Sequence, residues 1–112
     1  MSDDPEPFQS EVLRIEANRD QSGITIILAG EFDLTGTERF WAFVSEALAA
    51  DPKTVTIDSS GLEFIDSAGL QALLRARDAA TEAGGAFRVS DPSPAMRRIL
   101  ELSGVDDLLT DG

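Results

Sequence analysis

Residues 23–30, GITIILAG, gather Ile24, Ile26, Ile27 and Leu28 into one short aliphatic run, mostly β-branched. That composition is expected of a central strand buried on both faces. A central strand needs partners, and the flanking sequence supplies them. Residues 11–17 (EVLRIEA) set Val12 and Ile15 between charges, a strand pattern, and Asp20-Gln21-Ser22-Gly23 is a turn cluster. Two strands joined by a short polar turn predict an antiparallel hairpin.

Beyond Gly30 the period changes. Residues 30–36 (GEFDLTG) end the strand and lead into a helix over 37–50. Phe40, Val44, Ala47 and Leu48 share one face of it, Trp41 extends that face, and Asp51-Pro52 stops the helix. Residues 54–58 (TVTID) form the next strand, with Val55 and Ile57 as its apolar face. Strand, helix, strand order favours a crossover onto a parallel neighbour. A second helix comes after Asp66-Ser67, with Leu70, Leu73, Leu74 and Arg77 on one face, and ends at Gly84-Gly85. Residues 86–90 (AFRVS) are a strand. Ser93-Pro94 reads as N-cap and first helical residue of a third helix carrying Met96, Ile99, Leu100 and Ser103, stopped by Gly104. Val105, Leu108 and Leu109 are expected to add a last apolar turn or short strand. The order is ββαβαβα: an α/β domain with a mixed sheet packed by helices. At 112 residues there is room for one domain and not two. The acidic, proline-broken residues 1–7 read as a disordered tail before a domain over 8–112.

Composition removes several classes of chemistry. The chain has no cysteine and no histidine. Disulfides, thiolate nucleophiles, Cys/His zinc sites and Ser-His-Asp triads are therefore excluded. Nine Lys and Arg against 21 Asp and Glu leave a net charge of −12. Such a surface repels phosphate backbones and anionic headgroups, and it suits a partner with a basic patch. No apolar run approaches the ~18 residues that span a membrane. The acidic start is the opposite of a signal peptide, so a cytoplasmic protein is expected. No nucleotide loop is present, and no cofactor or metal is called for.

The informative stretch is residues 57–74, IDSSGLEFIDSAGLQALL. Asp66 or Ser67 can cap the helix that opens there, and on the residues alone a capping Ser67 is the simpler reading. Gly69 in the first turn costs up to ~1 kcal/mol of helix propensity relative to Ala. A glycine there makes sense where another group approaches closely. Ala68 and Gly69 are expected to keep the face beside the Ser67 hydroxyl clear. A helix N-terminus also tolerates added negative charge. The upstream near-copy Asp58-Ser59-Ser60-Gly61 lacks a helical period after it and reads as a turn with local hydrogen bonds. Asp33 and Asp66 are not read as an acid–base pair, because a chain this small offers little room for a substrate cleft.

Four landmarks in order carry a resemblance: Gly30-Glu31-Phe32-Asp33, residues 64–70 (FIDSAGL), Gly84-Gly85, and residues 93–104 (SPAMRRILELSG). Together they resemble the STAS domain, most of all its bacterial anti-sigma-factor antagonists, across nearly the whole chain. The resemblance implies a non-enzymatic partner switch. The unphosphorylated antagonist binds an anti-sigma factor with serine kinase activity and frees a sigma factor; phosphorylation ends binding, and a phosphoserine phosphatase resets it. By position, Ser67 is the implied phosphorylation site. Asp33, Asp66, Ser67, Ala68 and Gly69 are the implied partner-binding residues. The residue after the acceptor is often Ser in that family, and Ala68 here leaves one hydroxyl. The implied state is a monomer or weak dimer that touches neither nucleic acid nor membrane. The alternatives are a STAS scaffold or accessory subunit, in a stressosome-like or lipid-transport complex, and a module binding a nucleotide or lipid.

Overall fold

The computed structural model describes residues 12–50 and 54–105. The hairpin is formed by β1 (Leu13–Asp20) and β2 (Gly23–Phe32), antiparallel from Leu13 opposite Gly30 to Asp20 opposite Gly23. Its turn is closed by one side chain. The Asp20 carboxylate accepts from the Ser22 hydroxyl at 2.7 Å, the Ser22 amide at 2.8 Å and the Gly23 amide at 3.2 Å. The Ser22 hydroxyl, then the amides, hold this carboxyl below its ordinary pKa.

β3 (Thr54–Ile65) lies parallel to β2, and β4 (Ala86–Ser90) lies parallel to β3. The sheet order is β1-β2-β3-β4, mixed as expected. Helix α1 (Thr37–Ala49) links β2 to β3, α2 (Ser67–Glu82) links β3 to β4, and α3 (Pro94–Ser103) comes after β4. Phe40, Val44 and Ala47 of α1 are buried at the predicted spacing, with the Phe40 ring 5.1 Å from that of Phe32. The third helix starts and stops where its residues say. The Ser93 hydroxyl accepts from the Met96 amide at 3.1 Å, Pro94 opens the helix, and Gly104 ends it at φ +71°. Met96 and Leu100 are buried, whereas Ser103, expected on that face, is exposed.

Three expectations are corrected. β2 is not buried on both faces: Ile24, Ile26, Leu28 and Phe32 are buried, while Thr25, Ile27 and Ala29 between them are half-buried. The buried face joins one core cluster with the apolar faces of the helices; its neighbours point to the other side of the sheet, by the two-residue period of a strand. On α2 the buried face is Gly69, Leu70, Leu73, Ala76 and Ala80, with Leu74 and Arg77 only half-buried. Two leucines and three small residues therefore share the packing there.

The third correction is the Asp58-Ser59-Ser60-Gly61 segment, which is strand and not turn. The local bonds exist: the Ser60 amide and hydroxyl donate to Asp58 Oδ1 at 3.0 and 2.8 Å. They sit inside a β-bulge. Ile27 pairs with Asp58 and Ala29 with Gly61, so β3 carries one residue more than β2 over this interval. Ser59 is buried, its hydroxyl 3.5 Å from the Ser90 carbonyl. The ladder to β2 resumes beyond the bulge, shifts register once more between Gly30 and Glu31, and ends at Ile65. The residue 1–7 tail, the Asp51-Pro52 stop, and Leu108 and Leu109 lie outside the described residues.

Candidate functional site

Parallel register builds the site. Phe32 and Ile65 are partners in the last rung between β2 and β3. Asp33 and Asp66 therefore leave adjacent strands side by side, and the Asp66 amide donates to the Phe32 carbonyl at 3.3 Å. Each aspartate then caps the element it opens. Asp33 Oδ1 accepts from the Thr35 hydroxyl and from the Thr35 amide at 2.9 Å, starting a single 3-10 turn, Leu34–Gly36. Asp66, in extended conformation, accepts from the Gly69 amide at 3.1 Å and opens α2.

This assigns the cap to Asp66 and corrects the reading that Ser67 holds it. Ser67 is the first helical residue, it is exposed, and its hydroxyl has no hydrogen-bond partner among the described residues. It stands among the free amides of a helix start, where a negative charge is favoured. The two small residues after it part company. Ala68 is half-buried on the outer side, whereas Gly69 is buried and turned inward. A Cβ on Gly69 would lie 2.6 Å from the Phe32 carbonyl oxygen and 2.9 Å from Ile65 Cγ1. Gly69 thus serves close packing of α2 on the strand ends, and the expectation that it helps present a clear face to a partner is corrected.

Beside Ser67 an open groove of about 580 Å³ runs between α1 and α2. Thr37, Glu38 and Trp41 form one wall; Ala68, Ala72 and Arg75 form the other. The Arg75 guanidinium lies over the Trp41 ring, 4.0 Å from its centroid, a cation–π contact. Leu34, at the mouth of the groove, is 72% exposed, and Phe64, two residues before Asp66, is 46% exposed. Sequence reasoning missed the groove and the exposure of both apolar residues. Leu34 carried a signal: it is a lone apolar residue between Asp33 and Thr35, outside any helical or strand period. Among the described residues no group of three or more carboxylates is placed to hold a metal ion, and no helix is long and apolar enough to cross a membrane.

The family model described as "Mlab, STAS domain" matches residues 15–110, which takes in the sheet from the third residue of β1 onward, the three helices and the paired aspartates. The chain belongs to the STAS domain family. An anti-sigma F factor antagonist of Lysinibacillus sphaericus is 33% identical over 106 residues, 93% of this chain and 85% of its own. Among solved structures, an anti-sigma factor antagonist from Mycobacterium paratuberculosis superposes with TM-score 0.77 at 25% identity, covering 87% of this chain and 82% of its own. The Bacillus cell fate determinant SpoIIAA in its phosphorylated form is similar at TM-score 0.67 and 26% identity, covering 89% and 90%. In this STAS chain, the exposed Ser67 on a capped helix start, the flanking carboxylates and the adjoining groove form one continuous surface at the ends of β2 and β3.

Proposed function

We propose that this STAS chain is an anti-sigma-factor antagonist switched by phosphorylation at Ser67. The unphosphorylated form binds an anti-sigma factor that is also a serine kinase; binding frees the sigma factor. Phosphate on Ser67 ends the complex, and a phosphoserine phosphatase restores it. The chain acts by binding and catalyses nothing, as a cytoplasmic monomer or weak dimer. The observation that carries this reading is the exposed Ser67 hydroxyl, without a hydrogen-bond partner among the described residues, one residue past the Asp66 cap. The antagonists to which the chain is similar, one of them solved phosphorylated, support it.

The physics of the switch is local. A phosphoserine adds about −1.5 to −2 charge at pH 7. At a helix start it has no reason to unfold its own domain. In an interface formed around a neutral hydroxyl it brings bulk and a desolvated charge, which costs several kcal/mol. A tenfold loss of affinity needs only about 1.4 kcal/mol.

The test combines phosphate mapping with capture. A cognate anti-sigma kinase with ATP is expected to place one phosphate on Ser67 and none on Ser59 or Ser60. Wild type and Ser67→Ala should capture that kinase from extract; Ser67→Asp should lose it at least tenfold. A phosphate on Ser59 or Ser60, or capture of a transporter or a megadalton assembly in its place, refutes the reading and favours an accessory or scaffold role.

A further inference from the structure

We infer that the groove between α1 and α2 is a second docking element for the same partner, one that phosphorylation at Ser67 leaves intact. The inference rests on the antagonist reading and adds a separate contact to it. Its occupant is an apolar side chain flanked by Lys or Arg, carried by the anti-sigma kinase.

Continuity is the first argument. Ala68 belongs both to the first turn beside Ser67 and to the groove wall, so a partner seated on Ser67 abuts the groove. Shape is the second. Trp41, Ala68 and Ala72 make an apolar trough, and Leu34 stands exposed at its mouth. A desolvated aromatic at the centre of a small patch is a frequent source of binding energy. Charge is the third. Glu38 lines the groove; Asp33 precedes its lining residue Leu34 and Asp66 stands two residues before its lining residue Ala68; the Arg75 charge is held at the far end over Trp41. A basic segment complements that arrangement, in keeping with the chain's net charge of −12.

The groove adjoins Ser67 at Ala68, and distance separates its Trp41–Arg75 end from the switch. From Ser67 to Arg75 is eight residues of α2, about 12 Å along the axis. The Debye length at physiological salt is about 8 Å. A phosphate on Ser67 therefore acts on the interface at the helix start and is largely screened at the Trp41–Arg75 end. Phosphorylation removes one contribution to affinity and leaves the other, too weak alone to hold the complex, which keeps recognition of this particular antagonist apart from its on–off state.

The experiment titrates the purified kinase into wild type and Ser67→Asp, into Ala72→Gln made in each of those two backgrounds, and into Ala72→Lys made in the unmodified one. Gln fills the trough without charge and Lys adds repulsion toward a basic partner; both are good helix formers, and thermal melts check folding. Expected is at least a fivefold weakening by Ala72→Gln and more by Ala72→Lys. The factor for the uncharged Ala72→Gln should reappear on the Ser67→Asp background; Ala72→Lys, five residues and about 7.5 Å along the axis from position 67, is read for its charge effect in the unmodified background only. The sole tryptophan, Trp41, should change its emission on binding. If Ala72→Lys unfolds, Ala72→Gln and the Trp41 emission decide. Wild-type affinity in both Ala72 variants with unchanged emission overturns the groove while the Ser67 switch stands. A loss by Ala72→Gln seen only in the unmodified Ser67 background overturns its independence. Absence of kinase binding by wild type removes the partner, and the groove's role with it.

Discussion

Replacing Gly69 by Ala sets two known effects against each other. Alanine improves helix propensity by up to about 1 kcal/mol in a helix interior, and by less in a first turn. Against this, the new Cβ would lie 2.6 Å from the Phe32 carbonyl oxygen, 2.9 Å from Ile65 Cγ1 and 3.1 Å from Phe32 Cγ. The nearest neighbour is backbone within a parallel ladder, and Phe32 and Ile65 are core residues. None of these can swing aside as the end of a flexible side chain could. Overpacking of such sites costs typically 1–3 kcal/mol. The clash wins, and Gly69→Ala is expected to destabilise the domain by about 1–2 kcal/mol. For a domain near 100 residues that lowers Tm by roughly 5–10 °C. The Phe32 carbonyl also accepts from the Asp66 amide at 3.3 Å, so displacing it should loosen the joint between the strand ends and shift Ser67. Thermal and urea melts measure the first effect, and faster hydrogen exchange at the Asp66 amide measures the second. An equal or higher Tm for Gly69→Ala would refute the claim that close approach, and not partner access, requires glycine here.

The cap assignment predicts that Asp66→Ala costs about 1 kcal/mol in urea unfolding, while Ser67→Ala, at an exposed first-turn position, stays within about 0.5 kcal/mol; the reverse order would return the cap to Ser67. Ser67→Asp should change stability by less than about 1 kcal/mol, because a carboxylate is favoured near a helix start, even as calorimetry shows partner affinity fall at least tenfold. If it unfolds the domain and binding tracks only the folded fraction, the switch is wrong. The Asp20 carboxyl is held below its ordinary pKa by Ser22 and Gly23, so it stabilises the hairpin above the ordinary carboxylate range. That contribution is lost as pH falls through the lowered value. NMR titration should find the Asp20 carboxyl lower in the wild-type fold than in an unfolded control peptide of the turn.

The amino-acid sequence alone determined the features that depend on a few neighbouring residues. Ser93-Pro94 and Gly104 bound α3 because capping hydroxyl, ring-fixed φ and positive φ are local properties. The Phe40, Val44 and Ala47 face of α1 comes from a 3.6-residue period, and the β1–β2 hairpin from a turn that one aspartate closes. Tertiary structure decided the rest. Asp58-Ser59-Ser60-Gly61 has the composition and even the hydrogen bonds of a turn, yet the ladder to β2 runs through it as a bulge, since long-range pairing outweighs local preference. Asp66 and Ser67 are both good caps by residue type; the bond from the Asp66 amide to Phe32 holds Asp66 extended at the strand end and leaves Ser67 to begin the helix. The groove needs Trp41 and Arg75 from helices 34 positions apart in sequence to meet, and no local period encodes that meeting. It arises only when β2 and β3 pair in parallel and bring α1 and α2 together.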